Sequence, residues 1–462
     1  MTRIEVHAPY DGQLIDTIEA SGAEAVEAAL AVAYGLFRHR AAWLPPAARV
    51  TILRETARLM QEQAEDLARE AAHEGGKPLV DSRVEVARAI DGMLHCAELL
   101  RSEAGHVVPM GLNGAAAGRF AFTQHEPIGV VVAVSAFNHP LNLIVHQVGP
   151  AIAAGCPVIV KPATDTPLSC LRFTAILHAA GLSQGWCQAL VIESKELSQQ
   201  LVTDPRVGFF SFIGSAAVGW KLRSQLAPGV RCALEHGGAA PVIVAADADL
   251  AQAVPALAKG GFYHAGQVCV SVQRVFAHRS IVAALAAELA RHVRRLRVGD
   301  PLLAETEVGP LIRPKEVERV HAWVEEAVGQ GAQLLCGGRA LSATCYAPTV
   351  LLEPPPGCRV STQEVFGPVV CVHGYDDLDE AIGRANALPW AFQAAVFTRD
   401  HGTAMHAYAR LDASAVMLND HTAFRVDWMP FAGLRQSGLG VGGIPYTFRD
   451  MQTEKMFVEP MT

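Results

Sequence analysis

The chain has 462 residues, half of them apolar and 18% charged, with a formal charge of −8. That length suffices for two or three domains with large cores, and the composition excludes a disordered chain. The acidic balance excludes a general binder of nucleic-acid phosphates, which needs a positive surface.

The first hundred residues read as helices, at 24–40, 47–72 and 80–104. Val26, Leu30, Ala33 and Phe37 recur at helical spacing, and Gly75-Gly76-Lys77-Pro78 supplies a stop. Residues 118–126 alternate, as a hairpin or an edge strand does. Short, continuously apolar runs then follow at 128–134, 157–160, 188–192, 207–213 and 230–234. Helical stretches at 140–154, 167–180, 194–203 and 215–227 separate them. Buried strands alternating with helices indicate parallel βαβ units of the dinucleotide-binding kind. A second α/β series has strands at 241–245, 273–277, 369–374, 393–397 and 415–418. Its helices are expected at 249–262, 280–297, 314–328, 376–386 and 400–410, with loops at 299–314 and 353–357. The tail 453–458 alternates again. The expected class is α/β, with two doubly wound domains and a small β element.

None of the ten cysteines sits at C-x-x-C spacing, and there is no H-E-x-x-H, so neither a metal site nor a disulfide framework is expected. The start of the chain lacks the apolar run of a signal peptide, and no stretch reaches the roughly 18 apolar residues of a membrane span. A reduced, cytoplasmic protein with no membrane partner is expected. Gly438–Gly443 matches G-x-G-x-x-G but lacks the βαβ context and the later acidic residue, and reads as a flexible turn. Gly181–Gly185 matches G-x-S-x-G, but a helix precedes it and a strand follows, the reverse of a nucleophile elbow. Arg291, Arg294, Arg295 and Arg297 read as a solvated helix end.

Four segments place reactive residues beside apolar strands. They are Ser135–Pro140, Lys161–Ala163, Leu234–Gly238 and Gly266–Cys269. Asn138, Lys161 and Glu235 all follow a strand closely, where open α/β sheets bind ligands. A thiolate can attack a carbonyl, and an amide side chain with a backbone N–H can hold the oxyanion. A hydride can then leave to a nicotinamide, and a carboxylate can activate the water that cleaves the thioester.

The chain resembles the aldehyde dehydrogenase superfamily over nearly its whole length. F-N-H-P at 137–140, K-P-A at 161–163, F-I-G-S at 212–215 and E-H-G-G-A-A-P at 235–241 come in the family's order. So do G-Q-V-C at 266–269, E-V-F-G-P-V at 364–369 and P-F-A-G-L-R-Q-S-G at 430–438. The resemblance implies Cys269 as nucleophile, Asn138 with the Cys269 N–H as oxyanion hole, and Glu235 as the deacylating base. It implies NAD or NADP, bound through Phe137, Lys161, Ala163, Thr164, Gly214, Ser215, Gly237, Glu364 and Phe366. It also implies residues 1–117 and 128–237 as the dinucleotide-binding domain, and 238–432 as the catalytic domain. Residues 118–127 and 451–462 would form an oligomerisation element of a homodimer or homotetramer.

This chain departs from the family pattern at several points. His236 stands where Leu is usual and is expected to pack or to tune Glu235. Thr164 stands where NAD-preferring members often carry Glu. That leaves NADP open, while Asp165 keeps NAD plausible. The resemblance places the substrate near His139, Asn142, Leu143, His146, Val268, Val270, Phe424 and Arg425. These polar residues imply a small polar or anionic aldehyde, with Arg425 either assisting or paired with Asp427. Glu235 favours release of a free acid over transfer to coenzyme A. The rival readings are a coenzyme A-acylating semialdehyde dehydrogenase and a non-catalytic structural or binding relative.

Overall fold

A computed structural model describes residues 3–461. Two α/β bodies dominate it, each built on a sheet covered on both faces. The first is six-stranded, in the order Gly438–Leu439, Arg231–Glu235, Val207–Ile213, Val130–Val134, Val158–Lys161, Cys187–Ala189. All its pairs are parallel except that of Gly438–Leu439. Its central strand is apolar throughout because both faces are buried. Val131 and Ala133 join the core made with Leu53, Met93 and Phe173. Val130 and Val132 face Leu30, Ala33 and Leu201. A strand with one wet face would alternate instead.

The second sheet has seven strands. Their order is Gln333–Cys336, Thr349–Leu352, Val369–Tyr375, Val272–His278, Ala240–Val244, Gln393–Phe397, Ala415–Leu418. Only the Gln333–Cys336 edge is antiparallel. Val242, Val275 and Ala395 face one core, and Ile243, Phe276 and Val396 face the other. The third element is a ribbon in which Arg119–Pro127 pairs residue for residue with Gln452–Pro460. Segment 118–126 is therefore a single strand, and the chain's tail is its partner.

The helices are largely those expected, with corrections. The single helix expected at 47–72 is two, Pro46–Glu62 and Ala64–Gly75, broken at Gln63. Gly76, at φ 73°, ends the second in the left-handed conformation that glycine tolerates. Arg3–His7 and Leu14–Glu19 form an antiparallel pair where only helices were expected. Ile4 and Val6 alone carry its buried face, a signal too short for periodicity. Strands Gln333–Cys336 and Thr349–Leu352 were missed for the same reason of length. The strand expected at 188–192 is only Cys187–Ala189, and the helix expected at 280–297 is Val282–Val293. Among the described residues no helix is long and apolar enough to cross a membrane.

Candidate active site

The chain leaves the carboxyl end of Val130–Val134 toward Val158–Lys161 on one side, and later returns on the other as Val207–Ile213. That reversal opens a crevice, the usual ligand position in a doubly wound sheet. A cavity of about 750 Å³ runs from this crevice to the loops of the second sheet. Cys269, Asn138 and Glu235 all line it, so the fold brings the three together from distant parts of the chain.

Cys269 follows the turn Tyr263–Gly266 and precedes the strand Val272–His278. His264 and Ala265 hold φ of 47° and 53°, strained values for residues with a Cβ. Gly266 has no such room, since a Cβ there would lie 2.2 Å from Gly367 O. Gln267 ties the loop down. Its Oε1 accepts from Ile312 N at 3.0 Å and its Nε2 donates to Pro310 O at 3.2 Å. Of ten free cysteines, eight are buried, leaving Cys232 and Cys269 partly exposed. Burial pushes the Cys269 thiol up to about 12, with Arg425 drawing it down and Glu235 and Glu364 opposing. The resting group is therefore a thiol.

Asn138 Nδ2 donates one hydrogen to Gln267 O at 2.9 Å. A primary amide has two, so the second remains for a ligand oxygen. The loop bearing Asn138 hangs on a buried ion pair. The Lys77 ammonium pairs with the Glu85 carboxylate and donates to Asn138 O at 3.3 Å. Glu85 Oε1 accepts from Leu141 N at 3.0 Å and Asn142 N at 2.9 Å.

Glu235 ends its strand, and its carboxyl is raised by burial against the pull of Arg425. A Cβ on Gly442 would lie 2.1 Å from Glu235 Oε1. The glycine-rich run is thus not a free turn. Gly438 and Leu439 pair with Glu235 and Leu234, and Gly442 makes room for the carboxylate. His236 packs: its Nδ1–H donates to Gly214 O at 2.8 Å and its ring lies edge-on to Phe212 and Trp220. Gly219 is required beneath it, since a Cβ there would meet His236 Cε1 at 2.1 Å.

Phe137, Lys161, Ala163, Thr164, Gly214, Ser215, Gly237, Glu364 and Phe366 line the rest of the crevice. Ser215 caps the helix Ala216–Arg223 with no side-chain hydrogen bond, so first-turn amides stay open to an anion. Glu364 Oε1 accepts from Gly238 N at 3.1 Å, and burial pushes its carboxyl up to about 7. Phe366 stands edge-on to Phe137 at 5.9 Å. Asp165 is already engaged: Arg313 Nε donates to its Oδ1 at 2.7 Å and a second bond joins the pair.

At the other end, Arg425 does not pair with Asp427. Arg88 takes that carboxylate with bonds of 2.6 and 3.0 Å, and His146 Nε2–H adds a third at 2.6 Å. Arg425 instead stacks on Phe431 at 3.6 Å and donates to His146 Nδ1 at 3.2 Å. Its Nε is buried without a partner. His139 bonds Tyr263 Oη at 3.1 Å, and burial holds it neutral, well below the ordinary histidine range. His139, Asn142, Leu143, Val268, Val270 and Arg425 line the cavity. His146 and Phe424 do not. His146 is covered by Arg425 and Asp427, and Phe424 turns outward and is 43% exposed.

The model of the aldehyde dehydrogenase family matches residues 1–457. The chain belongs to the aldehyde dehydrogenase family. A 3-sulfolactaldehyde dehydrogenase of Priestia megaterium is 37% identical, over 99% of this chain and 94% of the relative. The solved aldehyde dehydrogenase 21 of Physcomitrella patens, in complex with the reaction product succinate, superposes with a TM-score of 0.96 at 32% identity. That match covers 100% of this chain and 95% of the moss enzyme. Glyceraldehyde-3-phosphate dehydrogenase from Methanocaldococcus jannaschii, complexed with NADP, gives 0.94 at 33% identity and covers 99% of both chains.

Sequence reasoning missed several residues of this aldehyde dehydrogenase. Lys77 was read only as part of a helix stop, and Glu85 and Arg88 only as part of the helical stretch 80–104. A signal existed: Asp81, Glu85 and Arg88 recur at helical spacing, and Asp81 and Glu85 are buried with Val86 and Ala89. Tyr263 and Gln267 carried no signal beyond adjacency to Cys269.

Proposed function

We propose that this enzyme oxidises a small anionic aldehyde to the carboxylic acid, with Cys269 as nucleophile and Glu235 as the base that frees the product. The carrying observation is that Cys269, Glu235 and Asn138 converge on one cavity whose far end holds Arg425. The Cys269 sulfur bonds the carbonyl carbon as its thiol proton passes to solvent water. The oxygen gains charge against the free Asn138 N–H and a backbone amide, each donor worth about 10²–10³ in rate. A nicotinamide, when bound, supplies the hydride acceptor, leaving a thioester on Cys269. Water then adds to that carbon, Glu235 takes its proton, and the C–S bond breaks. A carboxyl raised by burial suits a base working near neutral pH.

The open first-turn amides of the helix Ala216–Arg223, the Lys161 ammonium and the Glu364 carboxylate suit the pyrophosphate and ribose of NAD or NADP. Arg425 supports the choice of an anionic substrate. It is a buried guanidinium with an unpaired Nε, and its neighbour His146 is a neutral acceptor rather than a counter-charge. The relatives described above are named for, or hold, sulfonate, carboxylate or phosphate compounds. Free cysteines throughout suit a reducing compartment such as the cytoplasm.

Residues 1–117 with 128–237 serve as the cofactor domain and 238–432 as the catalytic domain. The ribbon of 118–127 and 451–462 assembles a homodimer or homotetramer. An aldehyde panel read at 340 nm with NAD and NADP in parallel tests the activity. Acidic semialdehydes are expected to exceed propanal, with free acid as product whether or not coenzyme A is added. An acyl-coenzyme A product would overturn the hydrolytic reading, and silence across the panel would overturn the catalytic one.

A further inference from the structure

The far end of the cavity is ordered by one carboxylate. Asp427 takes bonds of 2.6 and 3.0 Å from Arg88, one of 2.6 Å from His146 Nε2 and one of 3.3 Å from Asn142 Nδ2. Against burial, the His146 and Arg88 bonds hold its carboxyl below the usual range, so it is ionised. An ionised carboxylate only accepts, and this settles both neighbours. His146 carries its hydrogen on Nε2, which leaves Nδ1 to accept from Arg425 Nη2 at 3.2 Å. Asn142 turns its NH2 toward Asp427, which leaves its Oδ1 over. That oxygen is buried with no hydrogen-bond partner among the described residues, and so is Arg425 Nε. Both residues line the cavity, and Asn142 is only 3% exposed. Asn142 and His146 stand one turn apart on the helix Asn142–Ala154, so the open oxygen lies beside the histidine that holds Arg425.

A buried acceptor left unpaired is costly, and a ligand donor relieves it. An open donor on a cation and an open acceptor beside it together fit an acid group with a hydroxyl close by. An ammonium would also donate, but Arg425 repels it. An aldehyde carrying the acid alone would leave Asn142 Oδ1 unmet. We propose that the substrate is a hydroxylated anionic aldehyde, its acid group on Arg425 and its hydroxyl hydrogen on Asn142 Oδ1. His146 and Asp427 are positioning residues for that pair. The inference rests on the anionic-aldehyde reading above and narrows it.

kcat/KM for butanal, 4-oxobutanoate, 2-hydroxy-4-oxobutanoate and 2-amino-4-oxobutanoate tests it. The hydroxy acid is expected to exceed 4-oxobutanoate by about tenfold, the scale of one hydrogen bond to a buried, otherwise unpaired group. The amino acid should fall below the hydroxy acid. Product inhibition of the wild-type enzyme should follow the same order, with 2-hydroxysuccinate stronger than succinate. Asn142→Leu should bring the ratio of hydroxy acid to 4-oxobutanoate near one. His146→Phe should lower 4-oxobutanoate relative to butanal, and His146→Asn, whose Oδ1 can stand in for Nδ1, should restore part of that preference. A hydroxy acid no better than 4-oxobutanoate, in turnover and in product inhibition, would overturn the inference and leave the anionic reading standing. So would an amino acid equal to the hydroxy acid, or a ratio unmoved by Asn142→Leu in a protein with wild-type circular dichroism. A preference for acid over butanal unmoved by His146→Phe would remove the positioning role. 4-Oxobutanoate no better than butanal would remove the anionic reading itself, and the inference with it.

Discussion

Arg425 bears on three parts of the chemistry, through its place in the cavity and its charge. It faces the cavity, lowers the Cys269 thiol, and draws down the Glu235 carboxyl. A hydrogen bond to a charged group is worth about 1.5–3 kcal/mol, or roughly 10–100-fold. Arg425→Met should therefore lower kcat/KM for an acidic semialdehyde by about that factor relative to propanal. Equal losses on both substrates would contradict an anion site. The same residue sets a pH dependence. A guanidinium favours thiolate, so its removal raises the thiol further. Alkylation of Cys269 by iodoacetamide should quicken with rising pH into the alkaline range, and Arg425→Met should move that curve to higher pH. An unmoved curve would count against the coupling.

At the scale of elements, the helix Leu79–Ser102 organises the loop that follows the central strand. Glu85 accepts two loop amides while Lys77 neutralises it. Lys77→Met strands a buried carboxylate, at a cost of about 3–5 kcal/mol. Urea unfolding should show that loss, and Lys77→Met/Glu85→Leu should regain part of the stability but not kcat. Recovery of both would show that the pair has no part in placing Asn138. The sequence revealed the central strands well, because burial on both faces leaves continuous β-branched runs such as Val130–Val134. It revealed Cys269, Glu235 and Asn138 because reactive residues beside such runs stand out. It hid Lys77 and Glu85, whose meaning depends on contacts 56 to 61 residues away along the chain. It also hid the service of Gly442 to Glu235, since a glycine-rich run reads as a turn until the carboxylate beside it is seen.

At the scale of the whole molecule, the site exists only where two bodies meet. Asn138 follows one strand of the six-stranded sheet and Glu235 ends another, whereas Cys269 and Glu364 precede strands of the seven-stranded one. The ribbon stands apart from both cores and exposes Phe120, Met456, Phe457 and Val458. Such apolar exposure supports the proposed assembly through the ribbon. Light scattering should find a homodimer or homotetramer that Phe120→Glu/Phe457→Glu dissociates, and an unchanged mass would remove the ribbon from the assembly. In the proposed mechanism Cys269 carries the acyl group and Glu235 releases it. Glu235→Gln enzyme, mixed with NADP and an acidic semialdehyde and quenched in acid, tests this most directly by peptide mass spectrometry. A burst of about one reduced cofactor per subunit and an acyl adduct on the Cys269 peptide are expected, as deacylation stalls. Undiminished steady turnover, or an adduct on any other residue, would contradict it.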